Sequence, residues 1–244
     1  MIVLIDGDIL IFKLAFRHQH KFEFGVVTDD LNVVKEDMDK FISSIVKATG
    51  ADDYQVCLTS WTNFRKKLKE SYKIHRKDQE KPKLLPALRN YLIEAHQAFS
   101  WKNIEADDMM GILSTREPGK YIIASTDKDL NQIPGKHYSW TKDESYEISP
   151  YEGYKFFYSQ ILTGDRADGY TGVKGIGVKR AAKLLEGKEV KEMWDVVVEA
   201  YEKAGMTEED AISAAQMAWI LRDGWYNEET GEVQIWTPDK ITTE

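Results

Sequence analysis

Eight carboxylates carry the chemistry that this sequence could do. Asp6 ends the apolar run "MIVLI", and Asp127 ends "YIIAST" and pairs with Asp129 as D-x-D. Glu105, Asp107 and Asp108 form E-x-D-D, and Asp165 with Asp168 forms D-x-x-D. Each group alone has an ordinary reading, because acids after strands cap helices and acids in a first helical turn complement the helix dipole. Four such groups can converge only where something cationic offsets their repulsion. Hard divalent ions with oxygen ligands, Mg²⁺ or Mn²⁺, fit that need. Two ions about 3.5–4 Å apart clamp the attacking and leaving oxygens of an in-line phosphoryl displacement.

A glycine-rich basic segment follows the last acids directly, "GDRADGYTGVKGIGVKRAAKLL". Gly172, Gly175 and Gly177 surround a tight turn that opens a helix, where backbone can approach a phosphate and N–H groups face it. Lys174, Lys179, Arg180 and Lys183 add charge without sequence information. A helix–helix turn with a solvated basic face is the equal alternative. A second basic stretch, "RKKLKESYKIHRKDQEKPK" at 65–83, holds nine Lys/Arg against three acids and reads by itself as an exposed charged loop. Within it Tyr72 is placed to stack on a base. Lys73 and Arg76 would share one face of a helix and could stabilise a phosphoryl transition state.

The elements that must position these groups alternate. "MIVLI" reads as a fully buried parallel strand, "YQVCLT" at 54–59 as a second, "YIIAST" at 121–126 as a third and "HYSW" at 137–140 as a fourth. Between them lie a short helix from Asp8, a helix through Val34, Met38, Phe41, Ile42, Ile45 and Val46, one over 84–99, and one starting at "EADDMMGILS". Helices are expected at 150–162, 177–186, 189–204 and 207–222, the last capped by Thr207 and Asp210. This is an α/β pattern with a mainly parallel sheet and a helical C-terminal portion, divided near residue 150.

Composition sets the limits. The 244 residues carry a net charge of −8, yet residues 65–83 sum to +6 and 172–191 to +4, so charge is segregated and a polyanionic partner is not excluded. Cys57, the single cysteine, lies in an apolar strand, so a disulfide framework is excluded and a buried thiol is expected. The seven Trp are expected mostly in the core. No apolar run approaches a membrane span, and "MIVLIDGD" does not read as a signal peptide, so a cytoplasmic location and no membrane partner are expected.

The motifs "IDGD", "YKIHR", "EADDMM", "STDKDL" and "GDRADGYTGVKGIGVKRA" occur in the order that resembles the flap endonuclease / 5′-nuclease superfamily, most closely the short 5′→3′ exonucleases of podovirus-type phages. The likeness continues into "AGMTEEDAISAAQMAWILRD" and so spans nearly the whole chain. It implies a PIN-like α/β core over 1–150 with a helical arch or clamp at about 61–85. A helical DNA-binding part over 151–244 would follow, with a helix-three-turn-helix element, the helix–hairpin–helix, at about 158–190. It also implies hydrolysis of phosphodiesters from a 5′ end of duplex, nicked or flap DNA, with RNA–DNA hybrid as a further substrate, by a monomer in phage replication, primer removal or recombination. Carried over by motif, Asp6, Glu105, Asp107 and Asp108 resemble a first Mg²⁺ site and Asp127, Asp129, Asp165 and Asp168 a second. Lys73 and Arg76 resemble phosphate-activating cations, and the Gly172–Gly177 turn resembles a strand-gripping hairpin that binds K⁺ in some relatives. One departure stands out: after the second strand, where relatives often have Asp, this chain has Thr59 and Ser60. Asp8, next to the motif residue, reads as a helix cap.

Two rival readings remain at this stage. "DGD" after a strand and "GDRAD" later loosely mimic a haloacid dehalogenase-type phosphatase, which leaves both basic segments without a purpose. A non-catalytic, structure-specific DNA-binding protein is the other.

Overall fold

The computed structural model describes residues 1–19, 30–74 and 81–240. The apolar run at the N-terminus forms β1 (Ile2–Asp6), the strand around which a five-stranded sheet is built. It pairs in parallel with β2 (Asp53–Cys57) on one side and β3 (Tyr121–Ala124) on the other. β3 pairs in parallel with β4 (Gly135–Ser139), and β5 (Glu144–Ile148) closes that edge antiparallel to β4. β5 was not expected; the hairpin turns at Asp143, which takes a left-handed φ of 53°, a conformation that Asp tolerates better than most residues. The alternation of "ESYEI" is too short a signal beside the helix that follows.

Successive residues of β1 face opposite sides of the sheet, as the pleat demands. Val3 and Ile5 join Val56, Ile122 and Ala124 in one apolar cluster, with α1 (Gly7–Gln19), α2 (Leu31–Thr49) and α4 (Leu85–His96) over it. Leu4, Cys57 and Ile123 face the second cluster, to which the short α3 (Phe64–Leu68) adds Phe64, under α5 (Ala106–Arg116). That cluster continues through α6 (Pro150–Thr163), α8 (Val190–Lys203) and α9 (Glu208–Ala218) to Trp236, so one apolar core crosses residue 150. Trp219, Trp225 and Trp236 are buried in it, whereas Trp61 is 88% exposed. Cys57 is fully buried, and burial pushes its thiol up.

Local sequence explains the helix starts. Ser149 and Glu152 form a capping box ahead of Pro150, and Thr207 and Asp210 form another at α9. α9 was expected to run to 222 but ends at Ala218, because side chains capture the backbone beyond it. Gln132 Nε2 donates to the Ala218 carbonyl at 2.6 Å, the Ile220 N–H donates to Gln132 Oε1 at 3.2 Å, and the Leu221 N–H donates to Asp108 Oδ1 at 3.1 Å. Among the described residues, no helix is long and apolar enough to cross a membrane.

Candidate metal centre and nucleic-acid interface

The carboxyl ends of the parallel strands deliver the first acids, the usual location of sites in open α/β sheets. Asp6 leaves β1 buried; it accepts the Ile9 N–H at 3.1 Å and the Ser125 hydroxyl at 3.0 Å. Ser125 also accepts the Asp127 N–H at 3.0 Å, which ties the end of β3 to the end of β1. Asp127 caps a 3₁₀ turn over Lys128–Gln132 by accepting the Asp129 N–H at 2.9 Å. Asp129 accepts from Gln160 of α6 at 2.8 Å.

Burial, then the nearby Asp8, raises the Asp6 carboxyl to about 7, with Asp127 adding to it. Burial, then Asp127, likewise raises Asp129 to about 7, and Asp168 and Asp165 contribute. The four acids from the chain's second half therefore share one electrostatic neighbourhood with Asp6. Asp165 and Asp168 reach it through α6 and a two-strand ribbon, β6 (Gly164–Asp165) and β7 (Tyr170–Thr171).

Glu105, Asp107 and Asp108 at the start of α5 offer carboxylate oxygens that all lie within 4.8 Å of one another. Their environment differs from that of the strand-end acids. Burial would raise Glu105, but Lys73 and then Arg65 more than cancel it and hold the group at about 2. Lys73 Nζ donates to Glu105 Oε1 at 2.7 Å and lies 3.7 Å from Asp168. Asp107 is pushed well above the usual carboxylate range by burial and by its neighbours Asp108 and Glu105. Lys73 thus bridges the α5 acids to Asp168. It does so from a left-handed backbone, φ 52°, held by its N–H to the Asp168 carbonyl at 3.2 Å. Gly169 permits this approach, since a Cβ there would lie 2.8 Å from the Ser71 carbonyl.

The structure gathers all eight acids at one end of the sheet and brings Lys73 among them. Arg76 lies outside the described residues. Tyr72 differs from its expected role: it is 3% exposed, and its hydroxyl donates to Glu105 Oε2 at 2.7 Å. A buried ring bonded to a carboxylate has no face left for a base. The most exposed aromatic nearby among the described residues is Trp61, which rests on the Arg89 guanidinium beside a cavity of about 830 Å³ lined by Phe12, Lys66, Lys73, Lys81 and Glu105. Ser60 bonds within its own turn, its hydroxyl accepting the Thr62 N–H. Asp8 accepts the Thr59 N–H at 2.7 Å and Arg89 at 3.2 Å, so it fastens the exit of β2 to α4, and the side chain that accepts a first-turn N–H of α1 is Asp6, not the expected Asp8.

Gly172, Gly175 and Gly177 lie in a tight turn before α7 (Val178–Leu184), anchored by buried Val173, Ile176 and Ala181. Gly172 is obligatory, since a Cβ would sit within 2.4 Å of backbone from Leu162 to Gly164. Gly175 takes φ 84°. Lys174, Lys179, Arg180 and Lys183 are exposed on this turn and helix. Sequence reasoning missed Ser125, Gln160 and Arg65; the first two are uncharged, and Arg65 was one cation among nine.

The oxygen-only donor set and the raised Asp6, Asp107 and Asp129 are what a divalent cation site needs: buried acids whose charge lacks full compensation. The comparisons agree. Residues 1–158 match the model of the 5′-3′ exonuclease, N-terminal resolvase-like domain. The chain is 28% identical to the exonuclease of Escherichia phage T7, covering 97% of this chain and 93% of that one. It is 34% identical to the flap endonuclease Xni of Shewanella woodyi over 51% of this chain and 55% of that one. Among solved structures, the phage T5 flap endonuclease in a pseudo-enzyme-product complex with DNA and metal ions superposes with a TM-score of 0.67 at 20% identity, over 89% of this chain and 88% of that one. The family model spans more than half of this chain, which therefore belongs to the 5′-3′ exonuclease family defined by that N-terminal resolvase-like domain.

Proposed function

We propose that this metal-dependent 5′→3′ nuclease uses two Mg²⁺ ions to hydrolyse phosphodiesters at the 5′ end of duplex, nicked or flap DNA. The observation that carries the reading is the convergence of eight acids, several of them raised by burial and mutual repulsion, on one sheet end beside Lys73. Asp6, Glu105 and Asp107 would hold one ion, and Asp127, Asp129, Asp165 and Asp168 the other. Bound divalent ions supply activation of water and neutralisation of the charge that builds on the scissile phosphate.

The chain's own groups do the rest. Ser125 and Gln160 orient Asp6 and Asp129 by hydrogen bonds, the supporting role that outer partners play at metal sites. Lys73 would turn from Glu105 to the phosphate and, with Arg76, add positive charge there. The Gly172–Gly177 turn with Lys174, Lys179, Arg180 and Lys183 would grip a duplex strand through its phosphates, with K⁺ as an accessory ion. RNA–DNA hybrid cleavage, a monomeric state and a cytoplasmic site of action complete the proposal. The phosphatase reading gives no role to the exposed cations of the turn, and the family match removes its support.

The test is a duplex with an internal label and one blocked 5′ end, with Mg²⁺ or with EDTA, beside a 5′-flap substrate. Mg²⁺-dependent short products from the open 5′ end are expected. Binding without cleavage of either substrate would overturn the reading.

A further inference from the structure

Two side chains at the edge of the α5 acids are saturated with partners. Arg65 is 2% exposed, and a guanidinium has five N–H donors. Nη1 donates to Asp108 Oδ2 at 2.7 Å and Glu105 Oε2 at 3.2 Å. Nη2 donates to Asp108 Oδ1 at 2.7 Å and to the Trp219 carbonyl, and Nε donates to the Met217 carbonyl at 3.1 Å. All five donors are used. Asp108 is equally full: besides the two Arg65 bonds, Oδ1 accepts the Leu221 N–H and Oδ2 accepts the Glu105 N–H, each at 3.1 Å. Those four bonds occupy the lone-pair sites of a carboxylate.

We propose that Arg65 and Asp108 are a positioning clamp for Glu105, and that Asp108 is not a ligand of the ion its neighbours hold. This rests on the metal-dependent reading above. An ion at Asp108 would have to displace a bidentate guanidinium bond in a fully buried place, and Arg65 would then lose its counter-charge. The clamp acts on one oxygen of Glu105. Oε2 is fixed by Arg65 and by the Tyr72 hydroxyl, so Oε1, the oxygen turned toward Lys73, is the one left for a cation. Asp107, between them in sequence, is half-buried and offers a carboxylate oxygen within 4.8 Å of those of Glu105 and Asp108, so it is the ligand that the motif's middle position supplies.

The experiment titrates the intact protein, free of DNA, with Mn²⁺ by calorimetry and repeats the titration on variants. Asp107→Asn is expected to lose one bound ion. Asp108→Asn and Arg65→Lys are expected to keep the full number of ions with affinity weakened about 10-fold or more, the usual size of an outer-partner effect. Raising Mg²⁺ should restore most of kcat in Arg65→Lys, while KM for DNA stays near that of the parent. Thr115→Val releases the Asp223 N–H, bonded to the Thr115 hydroxyl at 2.8 Å at the far end of the same segment, touches neither Glu105 nor Asp129, and should leave Mn²⁺ affinity unchanged. Should Asp108→Asn fail to fold, the double variant Arg65→Gln/Asp108→Asn removes both charges and takes its place, with the same expectation.

Loss of one ion in Asp108→Asn or in the double variant, with Arg65→Lys binding normally, would make Asp108 a ligand and overturn the clamp alone. Equal weakening in Thr115→Val would also overturn it, by showing a general loss of rigidity. A parent protein that binds no Mn²⁺ would overturn the metal reading and the clamp with it.

Discussion

The acids at the start of α5 and those after β3 and α6 solve the same problem in opposite ways. Glu105 and Asp108 are met by cations from the chain itself, Arg65 and Lys73, at hydrogen-bonding distance. Asp165 and Asp168 meet Lys128 and Lys73 at 3.8 and 3.7 Å, beyond a hydrogen bond, and Asp129 is supported by a neutral amide. Glu105 is accordingly held at about 2 while Asp129 rises to about 7. Glu105 and Asp108 are offset by the chain's own cations before any ion arrives; Asp107 beside them and Asp129 rely on an ion, or on protons, to offset their burial and their neighbours' charge.

The less compensated group is the more sensitive to substitution. Asp165→Ala should lower turnover by about 10³-fold, the scale of losing a principal electrostatic stabiliser, while a mobility-shift assay still detects DNA binding. Full activity in that variant would end the metal assignment there. Lys73→Ala should cost about 10²-fold in kcat. It should also let the Glu105 carboxyl rise, because the first cation opposing its burial is gone. An unchanged acid limb of the pH–rate profile would show that Lys73 does not hold down the Glu105 carboxyl.

Protons should separate the two groups in metal-free protein. Asp6 and Asp129 hold protons in the folded state up to about 7, where the unfolded chain has released them near 3.8. Their contribution to stability is therefore complete below about pH 4 and lost as pH rises to 7. Glu105 has the opposite sign: its contribution is complete above 4.5 and lost as pH falls toward 2. In EDTA, Tm should fall by several degrees between about pH 5 and 8, since each kcal/mol is worth about 2–4 °C at this size. Asp129→Asn should flatten that fall, and divalent ions should remove it. A Tm that climbs over the same range would contradict the comparison. The mildest test is Gln160→Ala, which removes the amide from Asp129 and strands Gln132 Nε2 on one side. It should cost about 1–3 kcal/mol in denaturant unfolding and leave Glu105 unaltered.

Much of this was legible in the residues. The runs ending in Asp6 and Asp127 are continuous apolar strands, and only a sheet buried on both faces produces such runs, so their acids had to leave the same edge. The capping pair Thr207 and Asp210 was readable because capping is local. What escaped depends on partners far apart in sequence. Arg65 looks like its basic neighbours until Glu105, Asp108 and the 217–219 carbonyls surround it. Tyr72 is an ordinary exposed aromatic by composition, and only the fold turns its hydroxyl onto Glu105. The stop at Ala218 was invisible for the same reason, since Gln132 and Asp108 hold the next residues extended.

That captured turn has a consequence in time. Arg65, Asp108 and Gln132 are buried polar groups that each have partners at 217–221, and without that segment each would keep only part of its hydrogen bonds. A ribosome adds residues one after another, at about 5–20 per second. The acids of α5 leave it more than a hundred residues before the turn that locks them. A chain still under synthesis has its carboxylates but not their fixed geometry. The site is locked only once residues 217–221 have been made.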